Sequence, residues 1–373
     1  MNGLPHVVDM RPPGNVASLR PDQKSMTDVR HLGRSIHAIL LFTAVLLLSG
    51  CKQALPSIDV YADPDPFMTY RVMPEYTRLN KVEVKQVHFN LPDRPSEPDT
   101  SGATSCAELL KHPAVDAYWS GDAVYNEYLR QQGLTVPYHL DSAIPAAYRD
   151  PQDNWIGIAP RILVILVRST LKRGERPSSI RAYTDPAWKG RGALANPLKG
   201  SMRSHFAVLS TVWGDQQTAS FYKAARENDT KIVATQEESA DMVVEGDADF
   251  AFVDSDVALN RVRKNLPVEL LYPDQSGGEL GVIVTPTGLS IMRGCKNVPA
   301  ARRLVDYLTS RDGERRIISL APAQVPLNEG VGTESPNMWR IETLHVMHTD
   351  FPAAARKIMD MEKILGGPLQ SKE

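Results

Sequence analysis

The chain has 373 residues, 42% hydrophobic and 23% charged, so it can bury a core large enough for two lobes and is not a disordered chain. A formal net charge of -2, from 42 basic and 44 acidic residues with no basic stripe, argues against a nucleic-acid surface. Three cysteines, at 51, 106 and 295, are too few and too far apart for a disulfide scaffold or a CxxC metal or redox pair.

Chain order begins with an address. From Met26, basic Arg30 and Arg34 precede an apolar run, Ile36 to Leu48, which is followed by small residues and Cys51. That is the order of a secretory signal, and the run is shorter than the roughly 20 residues a permanent helix needs to cross a bilayer. Leu48-Ser49-Gly50-Cys51 resembles the bacterial lipobox, in which the cysteine thiol carries the lipid. The expected mature protein is therefore exported and lipid-anchored through Cys51, periplasmic or at the cell surface. Residues 1–25 have no role in that order, and a true start at Met26 would account for them.

After a tether over 52–57, Ser57 to Ala62 reads as a strand ending in Asp63-Pro64-Asp65-Pro66, where proline stops the ladder and starts a helix. Lys81 to Phe89 alternates as a second strand, and Leu91 to Ser105 is a Pro/Ser/Asp-rich loop. A short helix from Cys106 to Leu110 precedes a strand over Val115 to Ser120 and a helix from Ala123 to Gln131. Ile162 to Val167 and Gly192 to Ala195 read as strands, with a helix opening near Ser201. Then come helix Thr218 to Asn228, strand Lys231 to Ala234, helix Glu238 to Glu245 and strand Phe250 to Val253, ending at Asp254. Late apolar segments, Val268 to Tyr272 and Leu280 to Val284, complete a βα alternation that predicts an α/β fold with parallel strands. Cys106 and Cys295, expected in one lobe of an exported protein, are either bridged or two buried thiols.

Several segments together resemble the solute-binding proteins of ABC importers, in the ferric-iron or phosphonate branch. They are Val115 to Ser120, Tyr148-Arg149-Asp150-Pro151 with Trp155-Ile156-Gly157, and Arg161 opening an apolar strand. Asp185 to Gly190, Ala195-Asn196-Pro197, Gly246 to Phe250 with Asp254-Ser255-Asp256, Tyr272 to Gln275 and Ala300 to Leu308 follow in order. The resemblance implies a type II two-lobe periplasmic binding protein, with two crossing strands and a ligand cleft between the lobes. Its parts would be 58–162 and 269–330 for the first lobe, 163–268 for the second and 331–373 for a C-terminal helical tail. The crossing strands would be Ile162 to Val167 and the neighbourhood of Val282 to Val284. The implied partners are ABC permease and ATPase subunits, and the protein itself is expected to be a monomer.

Ferric relatives hold the metal with adjacent tyrosines, but the matching place here reads Asp254-Ser255-Asp256-Val257, and no Tyr-Tyr pair exists in the chain. Two replacements are open. In one, Asp63, Asp65, Asp254 and Asp256 form a hard-oxygen cage for a metal or a metal chelate, with Asp254 and Asp256 as the metal pair. In the other, Asn196, Ser201 and the helix after Gly200 seat an oxyanion, with Arg161 or Arg203 as a bidentate donor. Ser120 and Asp122, at the end of the Val115 strand, complete the candidate ligand contacts. The cargo is then ferric iron or another metal with a synergistic anion, or a small oxyanion such as a phosphonate or sugar phosphate. Asp254 and Asp256 could instead cap the following helix, and Arg161 could be a structural partner of a cleft carboxylate. Trp155 and Trp188 read as packing and His205 as a surface residue. No GxSxG, HExxH, Walker or GxGxxG motif stands in the chain, so an enzyme on this fold lacks a motif to carry it.

Overall fold

A computed structural model describes residues 55–64, 66–87, 102–111, 114–140 and 142–367. The signal region, Cys51 and Asp65 lie outside them. Ten strands form one sheet: β1 (Ser57–Ala62), β2 (Glu83–Val87), β3 (Ala117–Ser120), β4 (Thr135–Val136), β5 (Ile156–Arg168), β6 (Gly192–Ala195), β7 (Lys231–Val233), β8 (Phe250–Asp254), β9 (Val268–Leu271) and β10 (Val284–Met292). The order is β2-β1-β3-β10-β5-β8-β6-β7, with β4 added on β10 and β9 on β5.

The helices that matter for the site are α1 (Pro66–Asn80), α2 (Gly102–Lys111), α3 (Ala123–Gln131), α4 (Gly200–Trp213), α5 (Asp215–Glu227), α6 (Gln236–Glu245) and α7 (Ser255–Arg263). They are followed by α8 (Val298–Thr309), α9 (Arg311–Leu320), α10 (Phe351–Ile358) and α11 (Met361–Ile364). α2 starts earlier than the sequence predicts, inside the stretch read as loop. None of the helices among the described residues is long and apolar enough to cross a membrane.

The sheet is not parallel throughout. β1 pairs in parallel with β2 and β3, and β6 with β7 and β8, as a βα alternation requires. β10 runs antiparallel to β3 and β5, and β5 antiparallel to β8 and β9. These reversals fall at the two long strands. β5 passes from one half to the other between Ile162, which faces Val284, and Leu163, which faces Asp254. The chain returns to the first half through Val282 to Val284, where Leu163 N donates to Ile283 O at 2.9 Å, and runs on as β10, which pairs with β3, β4 and the first stretch of β5. Thr285, Pro286, Thr287, Gly288 and Ser290 break its apolar pattern, yet every residue of β10 is buried because helices cover both faces. With both faces covered, the period-2 alternation that marks a half-exposed strand is absent.

Along β5 the pleat sends Ile162, Val164 and Leu166 to one apolar cluster and Leu163, Ile165 and Val167 to the other. Each such side chain contributes about 1.5–3 kcal/mol by leaving water. Beside the crossover the ladder is irregular. Ala159 adopts φ 43°, the register shifts around Pro286, and the buried Glu314 accepts the Ala159 and Leu327 amides at 3.2 and 2.8 Å. A bulge of this kind bends the strand where the halves meet.

α3 lies close on β10. A Cβ on Gly288 would stand 2.0 Å from Asn126 Oδ1, so only glycine fits there. Cys106 and Cys295 are both free. Cys106 is buried and Cys295 only partly so, and the bridged alternative is not formed.

Candidate functional site

Arg161 stands on β5 one residue before the crossover, opposite Thr285. Its Nη2 donates to Gly121 O at 2.9 Å, in the loop between β3 and α3. Its Nη1 lies 3.4 Å from Asp254 Oδ2 and 3.6 Å from Asp256 Oδ2, where β8 runs directly into α7. Both places are at the carboxyl ends of strands, where open α/β sheets bind ligands. One guanidinium thus ties the two halves together across their junction.

Asp254 is 1% exposed and heavily bonded. Ser201 Oγ donates to Oδ2 at 2.6 Å, His205 Nε2 stands 2.7 Å from Oδ1, and Gln236 Nε2 approaches at 3.4 Å. Burial alone would raise this carboxyl, but Arg161, His205 and Ser201 outweigh it and hold it well below the usual carboxylate range. The neighbouring Asp256 is 46% exposed at its side chain, and its Oδ1 accepts the Val257 amide at 2.9 Å. The crowded cleft desolvates it and Asp254 repels its charge, which together raise it against the pull of Arg161.

From the other half comes Asp122. It caps α3, accepting the Val124 amide on Oδ1 at 2.9 Å, while Oδ2 is buried without a hydrogen-bond partner. Burial raises it, opposed by the Val124 amide, Ser204, His205 and Arg161. Arg161 Nε, Ser204 Oγ, His205 Nδ1 and Thr285 Oγ1 are likewise buried and unpaired. Ser204 is near enough to favour the charged form of Asp122, yet the two make no hydrogen bond of good geometry. A buried polar atom left unpaired costs about 1–3 kcal/mol, so the concentration of such atoms at one junction singles it out as the candidate site.

The sequence candidates fall into three groups. Arg161, Asp122, Asp254, Asp256 and Ser201 gather at the junction. Asp63 lies one layer behind: Ser105 Oγ donates to it at 2.7 Å, Tyr118 OH also donates to it, and burial pushes its carboxyl up to about 7. Ser120, Asn196 and Arg203 turn inward to local structure. Ser120 Oγ bonds Asp122 O at 2.9 Å and Asn126, and Asn196 Oδ1 accepts the Leu198 amide at 2.9 Å. Arg203 donates to the carbonyls of Leu198 and Ile358 at 3.0 and 3.3 Å. The bidentate anion donor expected of Arg203 is therefore spent on backbone, and the seat after Gly200 is left with Ser201, whose hydroxyl serves Asp254.

Among the described residues no group of three His, Cys, Asp or Glu could hold a metal ion by itself, so the four-carboxylate cage is not assembled there. Burial pushes the phenols of Tyr118 and Tyr125 well above their ordinary range.

His205 is the clearest correction. Read as a surface residue, it is wholly buried on α4 against Asp254, one turn after Ser201. The i,i+4 spacing from Ser201 was the available signal, because residues so spaced share a helix face. Gln236 and Thr285 were missed as well, while Ser204, read with Ser201 as an oxyanion hydroxyl of this helix, is buried beside Asp122. Trp155 packs on Phe351 with ring centroids 4.9 Å apart and donates to Glu127 Oε2 at 2.8 Å. Trp188 packs edge-on against Phe250. The cavities around Tyr138 and Leu140 share no lining residue with the junction.

Comparison with known proteins agrees with this architecture. The family profile described as bacterial extracellular solute-binding protein matches residues 99–319. Iron uptake protein A1 of Synechocystis is 23% identical over 332 residues, covering 78% of this chain and 87% of the relative. The major ferric iron-binding protein of Neisseria meningitidis serogroup B is 23% identical, covering 80% of this chain and 88% of the relative. Iron-bound HitA from Pseudomonas aeruginosa superposes with a TM-score of 0.70 at 16% identity, covering 83% of this chain and 99% of that one. AfuA from Actinobacillus pleuropneumoniae, with fructose-6-phosphate bound, gives 0.67 at 16%, covering 83% and 96%. The neighbours share the two-lobe type II periplasmic binding fold. The chain belongs to the bacterial extracellular solute-binding proteins.

Proposed function

We propose that this protein captures an iron(III) complex, metal together with its anion, in the cleft at Arg161 and hands it to the permease and ATPase of an ABC importer. The mixed charge at the sheet junction carries the reading: one partly buried guanidinium, its Nε buried and unpaired, flanked by Asp122, Asp254 and Asp256. A bare ferric ion would find carboxylates but no tyrosinate, and a lone oxyanion would meet acids on three sides. A complex carrying both charges answers both halves of the site. Arg161 then faces the anion, and the partly exposed Asp256 faces the metal or the hydroxyls of its chelator. Differential affinity for the closed arrangement would draw the two halves together over the solute. The named iron relatives support this reading, as does the absence of a catalytic motif. Cys51, as the lipidated residue of the mature chain, would keep the protein beside the membrane that holds the importer.

A thermal-shift screen tests it. Ferric citrate at 100 times its dissociation constant should stabilise the protein by about 2.7 kcal/mol. Bare ferric salts and phosphate should do little, and Arg161→Met should abolish the shift. Stabilisation by hexose phosphates alone would replace the iron reading with a sugar-phosphate one. A salmon-red protein with tyrosinate absorbance that ignores every anion would overturn it.

A further inference from the structure

The same two helices that bring Asp122 and Ser201 to the cleft, α3 and α4, are joined on their flanks by α10 from the C-terminal segment. That segment first touches the crossover region, where Val282 N donates to His345 O and Met347 N to Val282 O, each at 2.9 Å. It then turns into α10, capped by Asp350, whose Oδ1 accepts the Ala353 amide at 2.8 Å. Phe351, Ala354, Ala355 and Ile358 are buried on its inner face, in the apolar cluster that also contains Val124 and Leu129 of α3 and Phe206 and Leu209 of α4. Toward the first half, Phe351 packs on Trp155, and Gln131 Nε2 donates to Pro352 O at 2.9 Å. Toward the second, Lys357 Nζ donates to Ser210 O at 3.2 Å and pairs with Asp215, and Arg203 holds Ile358 O.

We propose that α10 is a clasp that holds the cleft closed, and that solute exchange requires it to let go of α3 or α4. α3 and α4 stand on opposite sides of the crossover, so any motion that parts the Asp122 loop from the Asp254 loop must separate surfaces that α10 covers together. The clasp's functional meaning rests on the cleft reading given above, but its mechanical claim does not.

The test is amide hydrogen exchange on the full chain without any solute, comparing wild type, Phe351→Ala and Lys357→Ala. In either variant α10 should exchange at least tenfold faster. Segments 120–122 and 254–256 should accelerate with it, while 117–119 of β3 and 250–253 of β8 keep wild-type protection. Lys357→Ala leaves the apolar core intact and serves if Phe351→Ala unfolds globally. Faster exchange in α10 with wild-type rates at 120–122 and 254–256 would overturn the proposal. Unchanged α10 in both variants would do so too, because these contacts would then not hold it.

Discussion

Asp254→Asn is the sharpest probe of the junction, because it removes one charge and almost no volume. In the native protein Asp254 accepts hydrogen bonds from Ser201 at 2.6 Å and Gln236 at 3.4 Å, meets His205 at 2.7 Å, and lies 3.4 Å from the Arg161 guanidinium. An asparagine amide turns two donors toward groups that are themselves donors, and it leaves Arg161 with Gly121 O and, as its carboxylate ion pair, the more exposed Asp256. Breaking a buried pair by removing one member costs about 3–5 kcal/mol. At roughly 2–4 °C per kcal/mol for a domain of this size, the melting temperature should fall by about 10 °C. The double variant with Arg161→Met should lose less than the sum of the two, since neither member of the Arg161–Asp254 pair is then left without the other. The pH dependence has a definite sign. Asp254 is depressed in the folded protein, so its contribution is fully present above the unfolded value of 3.8 and is lost as pH falls through the folded one. Calorimetry should show a constant gap between wild type and Asp254→Asn at pH values above 3.8 and a gap that narrows steadily as the pH is taken below it. A loss under 1 kcal/mol at pH 7, or strict additivity with Arg161→Met, would refute the account of the junction.

Asp63 carries the opposite sign. Raised from 3.8 to about 7 by burial, it keeps a proton that the unfolded chain gives up, so stability should fall as pH rises through that window, and Asp63→Asn should flatten the slope. Gly288→Ala would press a methyl against Asn126 Oδ1 and Ser120 Oγ, 2.0 and 2.9 Å from its Cβ, and should cost about 3 kcal/mol of stability, read as a lower urea midpoint at unchanged m. Cys51→Ala should abolish incorporation of a radioactive fatty acid, and full labelling of the variant would sink the lipid anchor.

Much of the second half was legible because its strands and helices follow one another with clear punctuation. Asn196-Pro197 ends β6, Thr235 caps α6 with its side chain on the Glu238 amide, and Gly246 closes α6 in a left-handed cap. β10 was not legible, because covering both faces of a strand allows Thr, Ser and Gly where a half-exposed strand would alternate. Of the site, Arg161 and the Asp254 loop could be found from their place at strand ends. The roles of Ser201 and Arg203 could not, because both lie in the first turn of one helix and only the packing of α10 decides that Arg203 turns away. His205 was misjudged for want of its partner: a histidine on a helix reads as surface until the chain places a carboxylate opposite it.

The pairing of β10 with both β3 and β5 also bears on the order of folding. Gly288 meets Ser120 across 168 residues of chain, and β10 forms the middle of the sheet rather than its rim. Such distant pairings make for slow folding, since loop closure must precede the contacts that reward it. A nascent chain stopped short of Val284 would present β3 and the first stretch of β5 as open edges with nothing between them. The polypeptide must therefore be nearly complete before its first half can close. That delay suits a protein that works outside the cytoplasm, because a chain that cannot finish folding early remains a thread that can still cross a membrane.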